Sequence, residues 1–509
     1  MAQPPDDPPL FVHARRLGVD TGQEAVIFLR EDSDIARAEG FKAHSRVELS
    51  TATHRTLATV HTVSNQALSR GLGGLSESAW RRLDAREDET VWVRHPPPVD
   101  SLGHVRAKVY GQPLGEAQYA AIMADISAGR YMDVHLAAFI TGCAQQGLSD
   151  AEMIGMTRAM VAAGQRLDWG GRLVMDKHCV GGLPGNRTTP IVVAIVAAAG
   201  LLIPKTSSRA ITSPAGTADT METLAPVELS LEEMRRVAER TGGCVVWGGS
   251  VSLSPADDVL VQVERSLDID SEGQLVASVL SKKVAAGASH VVIDMPVGPT
   301  AKVRDACQAA SLAAAIGRTG VALGLSVHVV ETDGRAPVGR GIGPALEARD
   351  VLSVLQGSAG APADLATRSV ALAGVLLEIG GAAESGAGEQ LARRLLDTGE
   401  AWARFQAICE AQGGMRTPPD APHTRVVSAE REGVLTRLDN RELARVAKLA
   451  GAPVDRAAGL ELAVRPGERI ERGQPLFTLH AQTRGQLAYA HDYWLDRRPM
   501  FTIEQEETP

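Results

Sequence analysis

Aromatic side chains are scarce in this chain: 7 Phe, 6 Trp and 5 Tyr among 509 residues, or 4%. A core so poor in rings has to be filled by Ala, Val, Leu and Ile, the usual packing between helices and a parallel sheet. Cysteine is scarce as well. The five, at positions 143, 179, 244, 307 and 409, are odd in number and scattered, without CxxC or metal-type spacing, which argues against a disulfide framework or a zinc site. There is no excess of positive charge. With 52 Lys plus Arg against 61 Asp plus Glu the net charge is -9, which offers no basic field for nonspecific nucleic-acid binding. Long apolar runs are also missing: the longest, Ile191–Ile203, lies between Pro190 and Pro204 and is too short to span a bilayer. Met1 to Arg16 lacks the apolar stretch of a signal peptide. The expectation is a reduced, cytoplasmic, soluble protein with neither membrane nor nucleic acid as partner.

Glycine, by contrast, is plentiful at 51 residues, and the length suggests about three to four domains. Residues 1–9 are rich in Pro and Asp and read as a disordered tail. From 10 to 95, stretches such as Glu24-Ala-Val-Ile-Phe-Leu and Arg46-Val-Glu-Leu alternate with polar turns, which predicts a small β-containing domain before the stiff His95-Pro-Pro-Pro linker. Helical periodicity follows over 103–168, with Leu136, Phe139 and Ile140 on one face and Asp150 as an expected N-cap. Short apolar strands then alternate with helices to about 420: Arg172-Leu-Val-Met, Cys244-Val-Val-Trp, His290-Val-Val-Ile and Val327-His-Val-Val. That alternation predicts a parallel α/β sheet, interrupted by a helical stretch at 256–286. The last region, 425–509, reads as small α+β, with hairpin turns at Pro466-Gly467 and Arg472-Gly473. Its pattern suggests a lipoyl or biotinyl carrier, but the last lysine is Lys448, so only a packing or assembly role remains. The expected fold class is thus α/β, with a parallel or mixed sheet, a helical domain split in sequence, and small β-containing N- and C-terminal domains.

The most informative stretch is Val174-Met-Asp-Lys-His-Cys-Val-Gly-Gly-Leu-Pro-Gly-Asn-Arg-Thr-Thr-Pro, a strand, a Gly-rich turn and a helix with Gly200 at its end. Gly181, Gly182 and Gly185 let backbone N–H groups approach a ligand, and the helix N-terminus adds partial positive charge. Lys177 and Arg187 supply full charge, Thr188 and Thr189 hydroxyls; together they suit phosphate. This is no Walker loop, since GxxxxGK[ST] is absent. A second such loop, Ile203-Pro-Lys-Thr-Ser-Ser-Arg-Ala-Ile-Thr-Ser-Pro-Ala-Gly-Thr, is denser in hydroxyls than a turn requires. In an open α/β sheet, loops at the carboxyl ends of neighbouring strands bind ligands. Ser278 and Lys282, at i and i+4, share one helix face. Gly339-Arg-Gly-Ile-Gly343-Pro344 is not GxGxxG, and Pro344 at the first position of a helix explains it. His178 and Cys179, read as neighbours on a loop, do not form a nucleophile–base pair.

In order and spacing, Asp176-Lys177-His178-Cys179-Val180-Gly181-Gly182, then Ser208-Arg209-Ala-Ile-Thr-Ser213, then Arg265, Ser278 and Lys282-Lys283 resemble the thymidine phosphorylase family. The similarity runs from about 105 to 485. It implies reversible phosphorolysis of an N-glycosidic bond, with phosphate as cosubstrate and no other cofactor or metal. It also implies a cleft between helical and α/β domains that closes during catalysis, and a homodimer or larger homo-oligomer. Carried over residue by residue, Lys177, Ser208 and Thr217 would bind phosphate, with Thr189 a further candidate because Pro184 reads as an insertion. His178, Arg265, Ser278 and Lys282 would hold and polarise the base. Cys179 departs from the family's usual hydroxyl residue, and a thiol is a weaker donor; a neutral thiol is expected there.

The resemblance leaves two substrates open. One is thymidine, giving thymine and 2-deoxyribose 1-phosphate. The other is AMP or another nucleoside 5'-monophosphate, giving base and ribose 1,5-bisphosphate. For the latter branch the implied contacts are Gly182, Ser208, Arg209, Ala210, Ile211, Thr212, Ser213, Thr217, Ser278 and Lys302, with Asp270 as proton donor to the leaving base. A noncatalytic nucleotide-binding protein is a third reading, motivated by Cys179.

Overall fold

The computed structural model describes residues 11–22, 24–64, 68–210, 213–267, 269, 271–497 and 500–505, and not the side chains of Ala38 and Arg265. The tail reading at 1–9 and the candidates Ile211, Thr212 and Asp270 therefore lie outside the described residues, as does the Arg265 side chain. The chain divides into two compact units, residues 1–102 with 128–132, and residues 103–127 with 133–509.

The first unit is a closed barrel. Its strands, in order around the barrel, are Phe11–Arg16, Leu72–Leu75, Val26–Arg30, Arg55–Val63, Arg46–Ser50 and Thr90–Arg94. Alternate positions point inward, as a period of two demands: Val12 and Ala14, Ile27 and Leu29, Val47 and Leu49, Val91 and Val93 are all buried. Gly73 is required by closure, since a Cβ there would lie 2.4 Å from Val12 Cγ2.

The second unit holds the parallel sheet. Strands Ser326–Asp333, His290–Val297 and Met175–Cys179 form a three-stranded parallel sheet. Ile203–Ser207 and Gly243–Trp247 form a parallel pair, and the bridge Val174 to Leu202 joins the two. The expected strand at Arg172 begins three positions late. Val174 makes only that single bridge, and Met175 opens the ladder to His290. Between these strands runs the helix Thr188–Ala198, buried on every face from Thr188 to Ala197. Each fully buried Val or Ile there contributes about 1.5–3 kcal/mol by leaving water. Gly200 follows the helix end with φ +87, the left-handed position that glycine adopts without strain.

Helices Glu116–Ser127, Asp133–Gln146 and Asp150–Ala162 pack with Pro255–Leu267 and Glu272–Ala285, so segments distant in sequence share one helical bundle. The N-cap before Met153 is Ser149, not Asp150: the Ser149 hydroxyl accepts from the Glu152 N–H, and the Glu152 carboxylate accepts in return. Asp150 occupies the first helical position, where its charge meets the helix dipole.

The last segment builds two antiparallel sheets, with helices Asn440–Leu449 and Arg484–Asp496. The short strand Gly341–Ile342, from the α/β stretch, pairs with Gly459–Leu462 in one of them. This contact accounts for Gly343, where a Cβ would come within 2.3 Å of the Ala458 carbonyl oxygen. Pro344 opens the next helix as expected. Among the described residues no helix is long and apolar enough to cross a membrane, and no group of three His, Cys, Asp or Glu is placed to hold a metal.

Candidate active site

The carboxyl ends of strands Met175–Cys179 and Ile203–Ser207 face the helices Pro255–Leu267 and Glu272–Ala285 across a cavity of about 1040 Å³. Lys177, His178, Cys179, Gly182, Thr189, Ser208, Arg209, Ser213, Thr217, Ser278, Lys282 and Lys302 all line it. Ala210 does not; its N–H donates to Asp219 Oδ2 at 2.6 Å and ties down the loop instead.

The first loop is assembled on buried ion pairs. Lys177 is 0% exposed; its ammonium donates to Thr188 Oγ1 at 2.8 Å and lies 3.3 Å from Asp294 Oδ2. Asp294 also accepts from Thr332 and Asn186. Burial opposes its charge, but Lys177 and these donors hold the carboxyl below its ordinary range. Of the two adjacent threonines, Thr188 steadies Lys177 and Thr189 faces the cavity. Glycines 181 and 182 line the cavity, whereas Gly185 does not. Gly185 serves packing, since a Cβ there would lie 2.0 Å from the Val338 carbonyl oxygen at φ +70.

Arg187 does not face an incoming anion alone. Its guanidinium donates to the buried Glu347 at 2.7 Å, to Thr217 Oγ1 at 2.6 Å and to the Ala215 carbonyl at 2.9 Å. It therefore sets the position of Thr217 in the second loop. Arg209 is similarly engaged: it pairs with Glu222, Glu228 and Asp219 and lies over the Trp247 ring at 4.8 Å. Its charge is neutralised, so it shapes the loop more than it attracts phosphate. The Asp219 carboxylate also accepts from the Gly216 N–H.

His178 and Cys179 end a strand rather than sit on a loop, so their side chains leave opposite faces. Burial, then Lys283, Lys205, Lys177 and Lys282, push the His178 pKa well below its ordinary value. The imidazole is neutral and can exchange hydrogen bonds with a base but brings no charge. Lys282 keeps its charge: although burial opposes it, Asp257 at 2.5 Å and Asp258 raise its pKa.

Burial and then Asp294 push the Cys179 thiol up to about 12, and Asn186 Nδ2 donates to its sulfur at 3.2 Å. At about pH 7.5 its thiolate fraction is on the order of 10³-fold below that of an ordinary thiol. Peptide mapping after brief iodoacetamide treatment should find the exposed Cys307 labelled and Cys179 unmodified. Equal labelling of both would show a thiolate at Cys179.

Among the cavity residues that escaped the sequence reading, four bear on the chemistry. Lys205, buried at the end of its strand, has its pKa lowered well below the ordinary value by burial and by Lys283; it donates to the Thr206 carbonyl and lies 3.7 Å from Asp176. Asn186, Trp247 and Asp258 are the others. Lys205 directly follows the apolar run that ends at Ile203-Pro204, in a strand buried throughout, and a lysine so placed was a legible signal. The other three depend on which segments meet.

Comparisons with known proteins agree with this architecture. Residues 104–164 match the glycosyl transferase family helical bundle domain, 171–402 its α/β domain, and 434–493 the pyrimidine nucleoside phosphorylase C-terminal domain. A Polaromonas sp. protein (strain JS666 / ATCC BAA-500) named "Putative thymidine phosphorylase" is 62% identical over 485 residues, 95% of each chain. One of the same name from Maricaulis maris (strain MCS10) is 57% identical over 497 residues, 97% of this chain and 96% of that one. Among solved structures, anthranilate phosphoribosyltransferase from Thermus thermophilus superposes with a TM-score of 0.51 at 23% identity, over 60% of this chain and 98% of that one. At that identity the likeness concerns the fold. On its domain matches and its near full-length relatives, the chain belongs to the thymidine phosphorylase family of glycosyl transferases.

Proposed function

We propose that the protein is a phosphorolytic pentosyltransferase that converts thymidine and phosphate to thymine and 2-deoxyribose 1-phosphate. One observation carries this reading: a single cavity brings Lys177, Thr189, Ser208 and Thr217 from two strand ends opposite Ser278 and Lys282 from the helical bundle. Phosphate is a weak nucleophile and the transition state resembles an oxocarbenium ion, so catalysis consists of positioning the anion and stabilising charge on the base. In this reading the loops hold phosphate against the anomeric carbon. Neutral His178 and Ser278 hydrogen-bond the base, and Lys282, with Arg265, stabilises its developing negative charge. On the nucleotide reading that follows, Asp270 is the proton donor to the leaving base. Phosphate is the cosubstrate, no further cofactor is needed, and the working form is a cytoplasmic homodimer or larger homo-oligomer.

A second reading, phosphorolysis of AMP or another nucleoside 5'-monophosphate to ribose 1,5-bisphosphate, has its own support. Lys302 lines the cavity in addition to Lys177, and a nucleotide substrate brings a second phosphate into the site. Incubation with thymidine or AMP, each with and without phosphate, followed by chromatography of released base, separates the two. Phosphate-dependent release of thymine or of adenine identifies the substrate; base release independent of phosphate sinks both readings.

A further inference from the structure

A second cavity, of about 1240 Å³, opens where the α/β stretch meets the C-terminal sheets, and it shares no lining residue with the first. Its lining includes Arg335, Arg340, Arg368, Arg437 and Arg465, contributed by segments spread over more than a hundred residues. Their carboxylate partners are few. Asp333 pairs with Arg335 at 2.7 Å. Asp364 accepts from the Gly339 and Leu365 N–H groups and lies 3.5 Å from Arg465. Glu468 accepts from the Arg465 backbone N–H, and Glu461 faces His480 at 3.8 Å. Among the described residues, Arg340, Arg368 and Arg437 have no carboxylate within ion-pair distance.

Two of the guanidiniums are held in place yet incompletely satisfied. Arg368 Nη2 donates to the Asp333 carbonyl and Arg465 Nη2 to the Gly339 carbonyl. Arg368 Nη1 and Arg465 Nη1 are buried and have no acceptor among the described residues, an arrangement that costs free energy until an acceptor arrives. The helix Ala363–Ile379 starts at the same wall, and Pro362 at its N-cap has no side chain to accept from the first turn. Its N-terminal partial charge therefore adds to that of the arginines.

We propose that this cavity binds a nucleoside di- or triphosphate, at a site separate from the phosphate loop. Planar guanidiniums grip phosphate oxygens two at a time, and several of them around one cavity suit a phosphate chain better than a single phosphate. Pro337, Ala361, Ala463 and Pro466 add an apolar wall against which a base or sugar can lie, the usual division of labour in a small-molecule site. Inorganic phosphate alone would leave most of this space unfilled. Arg340 and Arg437 are exposed and unpaired, so they are the side chains free to close on the ligand.

The test is equilibrium dialysis of the full chain with radiolabelled ADP, for the wild type, Arg340→Gln/Arg437→Gln and, as comparator from the first cavity, Lys302→Gln. The wild type should bind one more ADP per chain than the double variant, whose affinity at this site should fall by about 10–10²-fold. Lys302→Gln should retain that equivalent. Both arginines are exposed, so thermal melts of the double variant should match the wild type and exclude unfolding as the cause. ADP uptake lost in Lys302→Gln but intact in the double variant places the nucleotide in the first cavity and overturns the proposal. Absence of ADP binding to the wild type overturns it as well. So does displacement of ADP by an equal concentration of inorganic phosphate, which would show an adventitious ion only. Binding is read without turnover, so failure here is distinct from failure of the phosphorolytic reading.

Discussion

Lys177→Met is expected to lower phosphate-dependent turnover by about 10²–10³-fold, the scale of removing one group aimed at transition-state charge, and to destabilise the fold by about 3–5 kcal/mol. Both effects have one origin. The ammonium is wholly buried, 3.3 Å from Asp294 Oδ2, and its loss leaves a carboxylate in the interior with only Thr332 and Asn186 as donors. A pH dependence accompanies this. In the wild type the Asp294 pKa is depressed, so its contribution is present above the unfolded value and is lost only as pH falls through the folded one. Without Lys177 the folded pKa should rise, and the variant should lose stability as pH increases towards neutrality. The double variant Lys177→Met/Asp294→Asn should recover stability but not turnover. Thermal melts and phosphorolysis assays check both parts; a double variant that regained activity would remove Lys177 from the phosphate site.

Arg187→Met should destabilise by a similar amount, about 3–5 kcal/mol, and raise the KM for phosphate more than it lowers kcat. Its guanidinium is the counter-charge of buried Glu347 and the donor that holds Thr217. Burial already raises the Glu347 pKa with Arg187 opposing, and removing Arg187 should raise it further. A group whose folded pKa exceeds the unfolded value contributes stability below the unfolded pKa and loses it as pH rises through the folded one. The variant should therefore melt higher at about pH 5 than at about pH 8, with Arg187→Met/Glu347→Gln largely restoring the melt at the higher pH. An unchanged melt would show that the Arg187–Glu347 contact adds nothing, and an unchanged phosphate KM would show that Thr217 needs no positioning.

The site was legible where chemistry and local geometry coincide. Lys177 in a strand before a Gly-rich turn, and Ser278 with Lys282 on one helix face, stood out by local pattern; that they share a site with Ser208 and Thr217 was implied by the family resemblance. Gly185 was misread for an instructive reason. A glycine at positive φ in a phosphate-like loop suggests ligand approach, but the obstacle is the Val338 carbonyl oxygen, contributed from far along the chain. Arg209, an implied contact to nucleotide, does line the cavity, but Glu222, Glu228 and Trp247 close around its guanidinium.

By itself, the sequence determined the class of fold and the family. Shortage of rings, strand–helix alternation and two hydroxyl- and glycine-rich loops are local properties, written in consecutive residues. Only the tertiary structure decided which charges remain available to a ligand. Pairing within the low-dielectric interior depends on distances between segments over a hundred residues apart, such as Arg187 with Glu347 or Lys177 with Asp294, and ionisation follows those distances. The same folding that neutralises Arg187, Arg209 and Asp257 leaves Lys282 charged, His178 neutral and Asp258 open to the cavity.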